Sequence, residues 1–231
     1  MNILLTGAAG QLGSELTPLL SGRGSLTTTD RNRPAYVVEN WLELDLGNSK
    51  KLEGSLDRLR PDLIVNAAAY TAVDQAETDT EMAFVVNAGI PSMLASWAKK
   101  NEARLIHYST DYVFDGTAKR PYLETDPANS RSVYGESKLA GERALEESGC
   151  KHIILRTSWV YSSHGKNFVL SMLDLAKREI PLKVVDDQIG CPTSARNLAL
   201  ATDTVVQQWQ ESVSDSSRGV YHYCDDHSLS W

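Results

Sequence analysis

A chain of 231 residues, 42% of them hydrophobic, is long enough to bury one good core, so a single domain spanning residues 1–231 is the starting expectation. A formal net charge of -7 and a pI near 5.3 give no global attraction to nucleic acid or an anionic membrane, and no Lys/Arg run supplies a local one. The apolar start reaches Gly7 too soon for a signal peptide or a membrane span. Cys150, Cys191 and Cys224 lack the paired Cys/His spacing of a zinc site, so a cytoplasmic protein with reduced cysteines is expected.

The first predicted element is a strand over residues 2–6. It runs directly into Gly7-Ala8-Ala9-Gly10-Gln11-Leu12-Gly13, which opens an amphipathic helix over 11–20. Glycines at a strand-to-helix turn let the backbone turn tightly and approach a pyrophosphate, whose charge is favoured by the free N–H groups of the helix start. Such a triplet alone is a weak signal. Its place on the first βα turn is what a dinucleotide site demands.

A second strand over 25–29 ends at Asp30, where a carboxylate can accept hydrogen bonds from the adenosine ribose and would repel a 2′-phosphate. Arg31 and Arg33 follow, and a guanidinium could neutralise that phosphate, so both NADH and NADPH stay open. Residues 63–69 read as a third strand and 81–100 as a helix, followed by a strand over 104–109. Several of these strands are apolar throughout, which suits burial on both faces of a parallel sheet. Strand alternating with helix implies a doubly wound α/β sheet, a Rossmann fold.

Thr110 falls just beyond the 104–109 strand, where ligands bind in such sheets. A polar loop over 117–131 follows, then a helix over 134–147 that opens with Tyr134-Gly135-Glu136-Ser137-Lys138. Residues four apart share a helix face, so the Lys138 ammonium is expected beside the Tyr134 phenol, lowering its pKa toward a working range. A Tyr-x-x-x-Lys pair arises by chance in many chains. In order after a glycine turn and a strand-end hydroxyl, it becomes a strong joint signal for Thr110, Tyr134 and Lys138 as a catalytic group. A strand over 152–157 and a helix over 167–178 come next. After a Gln/Ser/Asp-rich stretch around 209–218, a last strand over 220–224 is followed by little more chain.

The glycine spacing resembles that of the extended short-chain dehydrogenases. The runs Asn66-Ala67-Ala68-Ala69-Tyr70-Thr71-Ala72-Val73-Asp74, His107-Tyr108-Ser109-Thr110-Asp111-Tyr112-Val113-Phe114, Tyr134 to Glu142, Arg156-Thr157-Ser158-Trp159-Val160-Tyr161 and Asp187-Gln188-Ile189-Gly190-Cys191-Pro192-Thr193 resemble the dTDP-4-dehydrorhamnose reductase family over essentially the whole chain. The resemblance implies hydride transfer from NADPH or NADH to the C4 ketone of a nucleotide-linked sugar. Tyr134 would be the proton donor, Lys138 its electrostatic partner and ribose anchor, and Thr110 the completing hydroxyl.

By the same resemblance, Asp45, Leu46, Ala67, Ala68 and Ala69 would line the adenine and ribose, with Gly7, Gly10, Gln11, Leu12, Gly13, Asp30, Tyr134 and Lys138 also binding the cofactor, while Thr110, Asp111 and Trp159 would contact the sugar nucleotide. Trp159 equally suits a core aromatic after a strand. The family's chains continue through a further C-terminal segment, so the substrate-lobe elements expected from about 160–231 are read as cut short. Some members hold magnesium through glutamates; Glu15 fits one such position, but Arg196-Asn197 stands where another is expected, so no metal is predicted. A nucleotide-sugar substrate is the expected partner, with a homodimer left open. Two rivals share the fold: a non-catalytic regulatory partner resembling that of methionine adenosyltransferase, and a nucleotide-sugar epimerase. Dehydration is disfavoured because Thr110-Asp111 is followed by Tyr112, where the dehydratases carry an acid pair.

Overall fold

The computed structural model describes residues 1–34, 39–178, 181, 183–211 and 218–231. Strand β1 (Asn2–Thr6) leads into helix α1 (Gln11–Ser21), then β2 (Ser25–Asp30), β3 (Trp41–Glu43) and α2 (Ser49–Leu59). The apolar run LIVN forms β4 (Leu63–Asn66), buried throughout as a central parallel strand should be. Two short helices, α3 (Val73–Ala76) and α4 (Thr80–Phe84), a π-helical turn over Val85–Gly89 and α5 (Ile90–Lys100) cross over to β5 (Arg104–Thr110). A 3₁₀ turn over Asp111–Val113 and α6 (Val133–Ser148) lead to β6 (Lys151–Thr157). The remaining elements are β7 (Val160–Tyr161), α7 (Phe168–Ala176), β8 (Ile189–Gly190), β9 (Thr193–Ser194), α8 (Ala195–Glu211), β10 (Gly219–His222) and β11 (Leu229–Ser230).

Seven strands form one parallel sheet in the order β10-β6-β5-β4-β1-β2-β3. The order reverses at β1, whose neighbours are β2 on one side and β4 on the other, and that reversal opens a crevice at the carboxyl edge. Alternate strand residues feed two cores. Ile3, Leu5, Val65, Ile106 and Tyr108 pack with α1 and α8, while Leu4, Ile64, Leu105 and Ile154 pack with α2 and α5. The expected doubly wound α/β fold is therefore the observed one.

Two elements differ from expectation. The strand expected over 63–69 stops at Asn66, because Ala67 makes its last ladder bond to Thr6 O at 3.2 Å and the chain then crosses over the Gly7 turn. The helix expected over 81–100 is interrupted by the π turn. Pro91 enters the first turn of α5 with no N–H to give, so the ladder widens just before it. The displaced turn carries Asn87, whose side chain accepts from Tyr70 N at 2.9 Å and donates to Tyr70 O and Ser137 Oγ, each at 3.0 Å. Of the polar stretch around 209–218, residues 212–217 lie outside the described residues. The last strand of the sheet occupies Gly219–His222, and beyond it Leu229 and Ser230 pair antiparallel with Gly190 and Ile189.

Candidate active site

The glycine turn after β1 is built by crowding. Gly7 has φ of +69°, and a Cβ there would lie 2.5 Å from Ala68 N, while one on Gly13 would strike the Gly7 carbonyl oxygen. Gly10 differs: it is exposed, and a Cβ would meet only Gly7 O at 3.2 Å. Gly7 and Gly13 thus close the turn, and Gly10 leaves its outer face bare. No side chain caps α1 at Gly10, so the first-turn N–H groups of the helix are offered to an anion.

Asp30 lies at the carboxyl end of β2. Its Oδ2 accepts from Ala9 N at 3.1 Å and its Oδ1 from Arg31 N at 2.7 Å, so it braces the glycine turn while each oxygen keeps capacity for a further donor. Asp45 is exposed after β3, and Leu46 is buried in the core beside α2. Ala67, Ala68 and Ala69 run half-buried across the top of β4. Leu12 packs against the α1 core, and the Gln11 carboxamide accepts from Asn167 Nδ2 at 2.9 Å, tying α1 to the start of α7.

Thr110 ends β5, opposite Thr157 of β6. Its hydroxyl donates to Asp111 Oδ1 at 3.0 Å and accepts from Tyr112 N at 3.2 Å. Tyr134 stands in the first turn of α6, whose N-cap Ser132 accepts from Gly135 N at 3.1 Å. The Tyr134 ring is buried and meets Tyr112 edge-on, with centroids 5.6 Å apart. One helical turn further, the Lys138 ammonium is buried and donates to Tyr108 O at 2.6 Å.

The expected lowering of Tyr134 by Lys138 is not what the packing produces. Burial pushes the Tyr134 phenol above its ordinary range; the Thr110 hydroxyl opposes this, and Asp111 and Tyr112 add to it. Lys138 spends its charge on the Tyr108 carbonyl, and its own burial lowers it to about 8, with Glu142 pulling the other way. Asp111 is raised to about 6 by burial, although Thr110 and the local backbone N–H groups favour its ionised form.

Glu142, four residues beyond Lys138, forms a buried bidentate pair with Arg156, at 2.9 Å and 2.6 Å. The Arg156 guanidinium also lies 5.0 Å over the Phe114 ring. Sequence reading assigned neither residue a role. The signal available was the period: Lys138 and Glu142 lie i,i+4 on α6, and Arg156 lies opposite Ser109 in the sheet.

Trp159, expected as a sugar-nucleotide contact, is half-buried at φ of +45° outside the two sheet cores. It stacks on Trp231 at 3.6 Å, and Phe168 of α7 tilts against Trp231 at 4.4 Å. This aromatic group joins the segment after β6, the start of α7 and the end of the chain. Among the described residues, no cluster of three His, Cys, Asp or Glu side chains is arranged to hold a metal, and no helix is long and apolar enough to cross a membrane.

The arrangement fits a dinucleotide: an uncapped helix start, a bare glycine, a strand-end carboxylate and an ammonium with two unspent N–H groups line one edge of the sheet. The family described as "RmlD substrate binding domain" matches residues 1–231. The dTDP-4-dehydrorhamnose reductase of Escherichia coli K12 is 43% identical over 231 residues, the whole of this chain and 75% of that protein. A solved structure of a dTDP-4-dehydrorhamnose reductase from Clostridium acetobutylicum superposes with a TM-score of 0.88 at 37% identity, covering 100% of this chain and 76% of that one. The Bacillus anthracis dTDP-4-dehydrorhamnose reductase, solved in complex with NADP, gives 0.87 at 34% identity, covering 99% and 77%.

Proposed function

This chain belongs to the RmlD substrate-binding-domain family, and on that footing we propose that it reduces the C4 ketone of dTDP-4-dehydro-L-rhamnose with NADPH or NADH, giving dTDP-L-rhamnose. The observation that carries the chemistry is the buried convergence of the Thr110 hydroxyl and the Tyr134 phenol at the carboxyl end of β5, one helical turn from a buried ammonium. The nicotinamide supplies the hydride when bound. The chain's own residues handle position and proton.

Addition to the ketone builds negative charge on its oxygen. The Thr110 hydroxyl, turning its one proton from Asp111 Oδ1 to that oxygen, and the Tyr134 phenol stabilise the charge more in the transition state than in the ground state. The raised pKa keeps Tyr134 as the protonated phenol that a reduction requires, and a developing alkoxide is basic enough to take its proton. Lys138 holds the nicotinamide ribose with the N–H groups that Tyr108 O does not use. Gly10 and the first turn of α1 hold the pyrophosphate, with Asp30 on the adenosine ribose. Asp111 and the Trp159 group bind the sugar nucleotide, so residues from about 160 onward act as the substrate side of one dinucleotide-binding unit. Cytoplasmic work suits three free cysteines.

The test is dinucleotide oxidation with dTDP-4-dehydrorhamnose as acceptor. Oxidation that depends on the keto sugar is expected. Normal dinucleotide binding with no keto sugar reduced would overturn the proposal in favour of a non-catalytic partner.

A further inference from the structure

Two distant segments of the chain are held side by side by three separate ties. Gly190 of β8 pairs with Leu229 of β11, Ser194 N donates to Asp225 Oδ2 at 2.9 Å, and Asn197 Nδ2 donates to Asp225 Oδ1 at 3.0 Å. Cys191 lies between Gly190 and Ser194 on one segment. Cys224 immediately precedes Asp225 on the other. The backbone at Cys191 is pinned as well, its carbonyl accepting from Ser158 Oγ at 2.7 Å. Those ties set Cys191, next to Gly190, beside Cys224, next to Asp225, close enough for Cys191 to raise the Cys224 thiol. Cys224 is exposed and Cys191 partly so, whereas Cys150 is buried.

From this juxtaposition we propose that Cys191 and Cys224 form a redox modification site, a dithiol that closes to an intramolecular disulfide when a small-molecule disulfide reaches it. The exchange balances in two steps. One cysteine thiolate attacks the small disulfide, forming a mixed disulfide and expelling one small thiolate; the second cysteine thiolate then attacks the protein sulfur of that bond and expels the other. The protein loses two electrons and two protons, and the oxidant becomes two thiols. Although Cys224 is exposed, its thiol is partly desolvated, and that desolvation, then Cys191 and the Asp225 and Asp111 carboxylates, push it up to about 11, so Cys224 rests as a thiol at neutral pH. A disulfide here would covalently join the β8–β9 segment to the chain beyond β10, two pieces otherwise joined by hydrogen bonds. The site stands on its own geometry and does not depend on the reaction proposed above.

The test uses the full chain, oxidised glutathione as the probe, alkylation of the remaining thiols and peptide mass mapping. The expected result is a Cys191–Cys224 linked peptide within one chain whose mass has fallen by two hydrogens, with Cys150 alkylated and the link reversed by dithiothreitol. In Cys191→Ser the reaction should stop at a stable glutathione adduct on Cys224. The same stable adduct in the wild-type chain with no linked peptide, or a link only between two chains, would overturn the proposal.

Discussion

Tyr134 and Lys138 stand one turn apart on α6, and burial moves their protons in opposite directions: it holds the phenol protonated and makes the ammonium easier to lose. Tyr134→Phe removes the transferable proton and keeps the ring's bulk. Turnover of the keto sugar should fall about 10²- to 10⁴-fold with the dinucleotide Kd unchanged, as titration of the variant would report. A lysine is charged below its pKa, so the ammonium proposed to hold the ribose is present below about 8 and lost above it. NADPH affinity should therefore weaken as pH rises through about 8, and Lys138→Met should bind weakly with no such limb. An unchanged limb in that variant would remove Lys138 from the ribose. Glu142 belongs to the same face. Glu142→Gln leaves the buried Arg156 guanidinium without its anion, which should cost about 3–5 kcal/mol of stability by urea unfolding. A loss under about 1 kcal/mol would show that the pair is solvated in solution.

At the scale of elements, the first βα turn separates two kinds of glycine. Gly13→Ala drives a methyl group into the Gly7 carbonyl and should lower the Tm, whereas Gly10→Val meets that carbonyl only at 3.2 Å and should leave the fold largely intact while weakening dinucleotide binding sharply. Paired Tm and Kd measurements on the two variants check this, and equal Tm losses would contradict it. This turn was legible because strand, glycines and helix follow one another in the chain. The expected 63–69 strand runs past the ladder because an unbroken apolar run does not mark where the ladder ends; contact of Ala67 and Ala68 with Gly7 does, and that contact is between distant residues. The π turn was hidden for a related reason. Helical periodicity over 81–100 does not mark it, and its use, Asn87 latching Tyr70 to Ser137, depends on three segments meeting.

For the whole molecule, the doubly wound sheet followed from strands apolar on both faces alternating with amphipathic helices, and the reversal of strand order at β1 then gathers residues 7–13, Asp30, Thr110 and Tyr134 toward one edge. Thr110, Tyr134 and Lys138 could be proposed from sequence because their order along the chain is informative. The Glu142–Arg156 pair and the placement of Cys191 beside Cys224 could not, since each depends on side-by-side packing that no local pattern encodes. Tyr134 illustrates the limit within the site itself: spacing placed Lys138 one turn away, but only packing shows that burial, and not the ammonium, governs the phenol. The central claim is hydride delivery to a sugar C4 carbon in this crevice. It is tested most directly by running a single turnover with NADPH deuterated at the transferred C4 position and dTDP-4-dehydrorhamnose, then reading the sugar product by NMR. Deuterium bonded to C4 of the product is the predicted result; full binding of the dinucleotide with no deuterium at that carbon would contradict it.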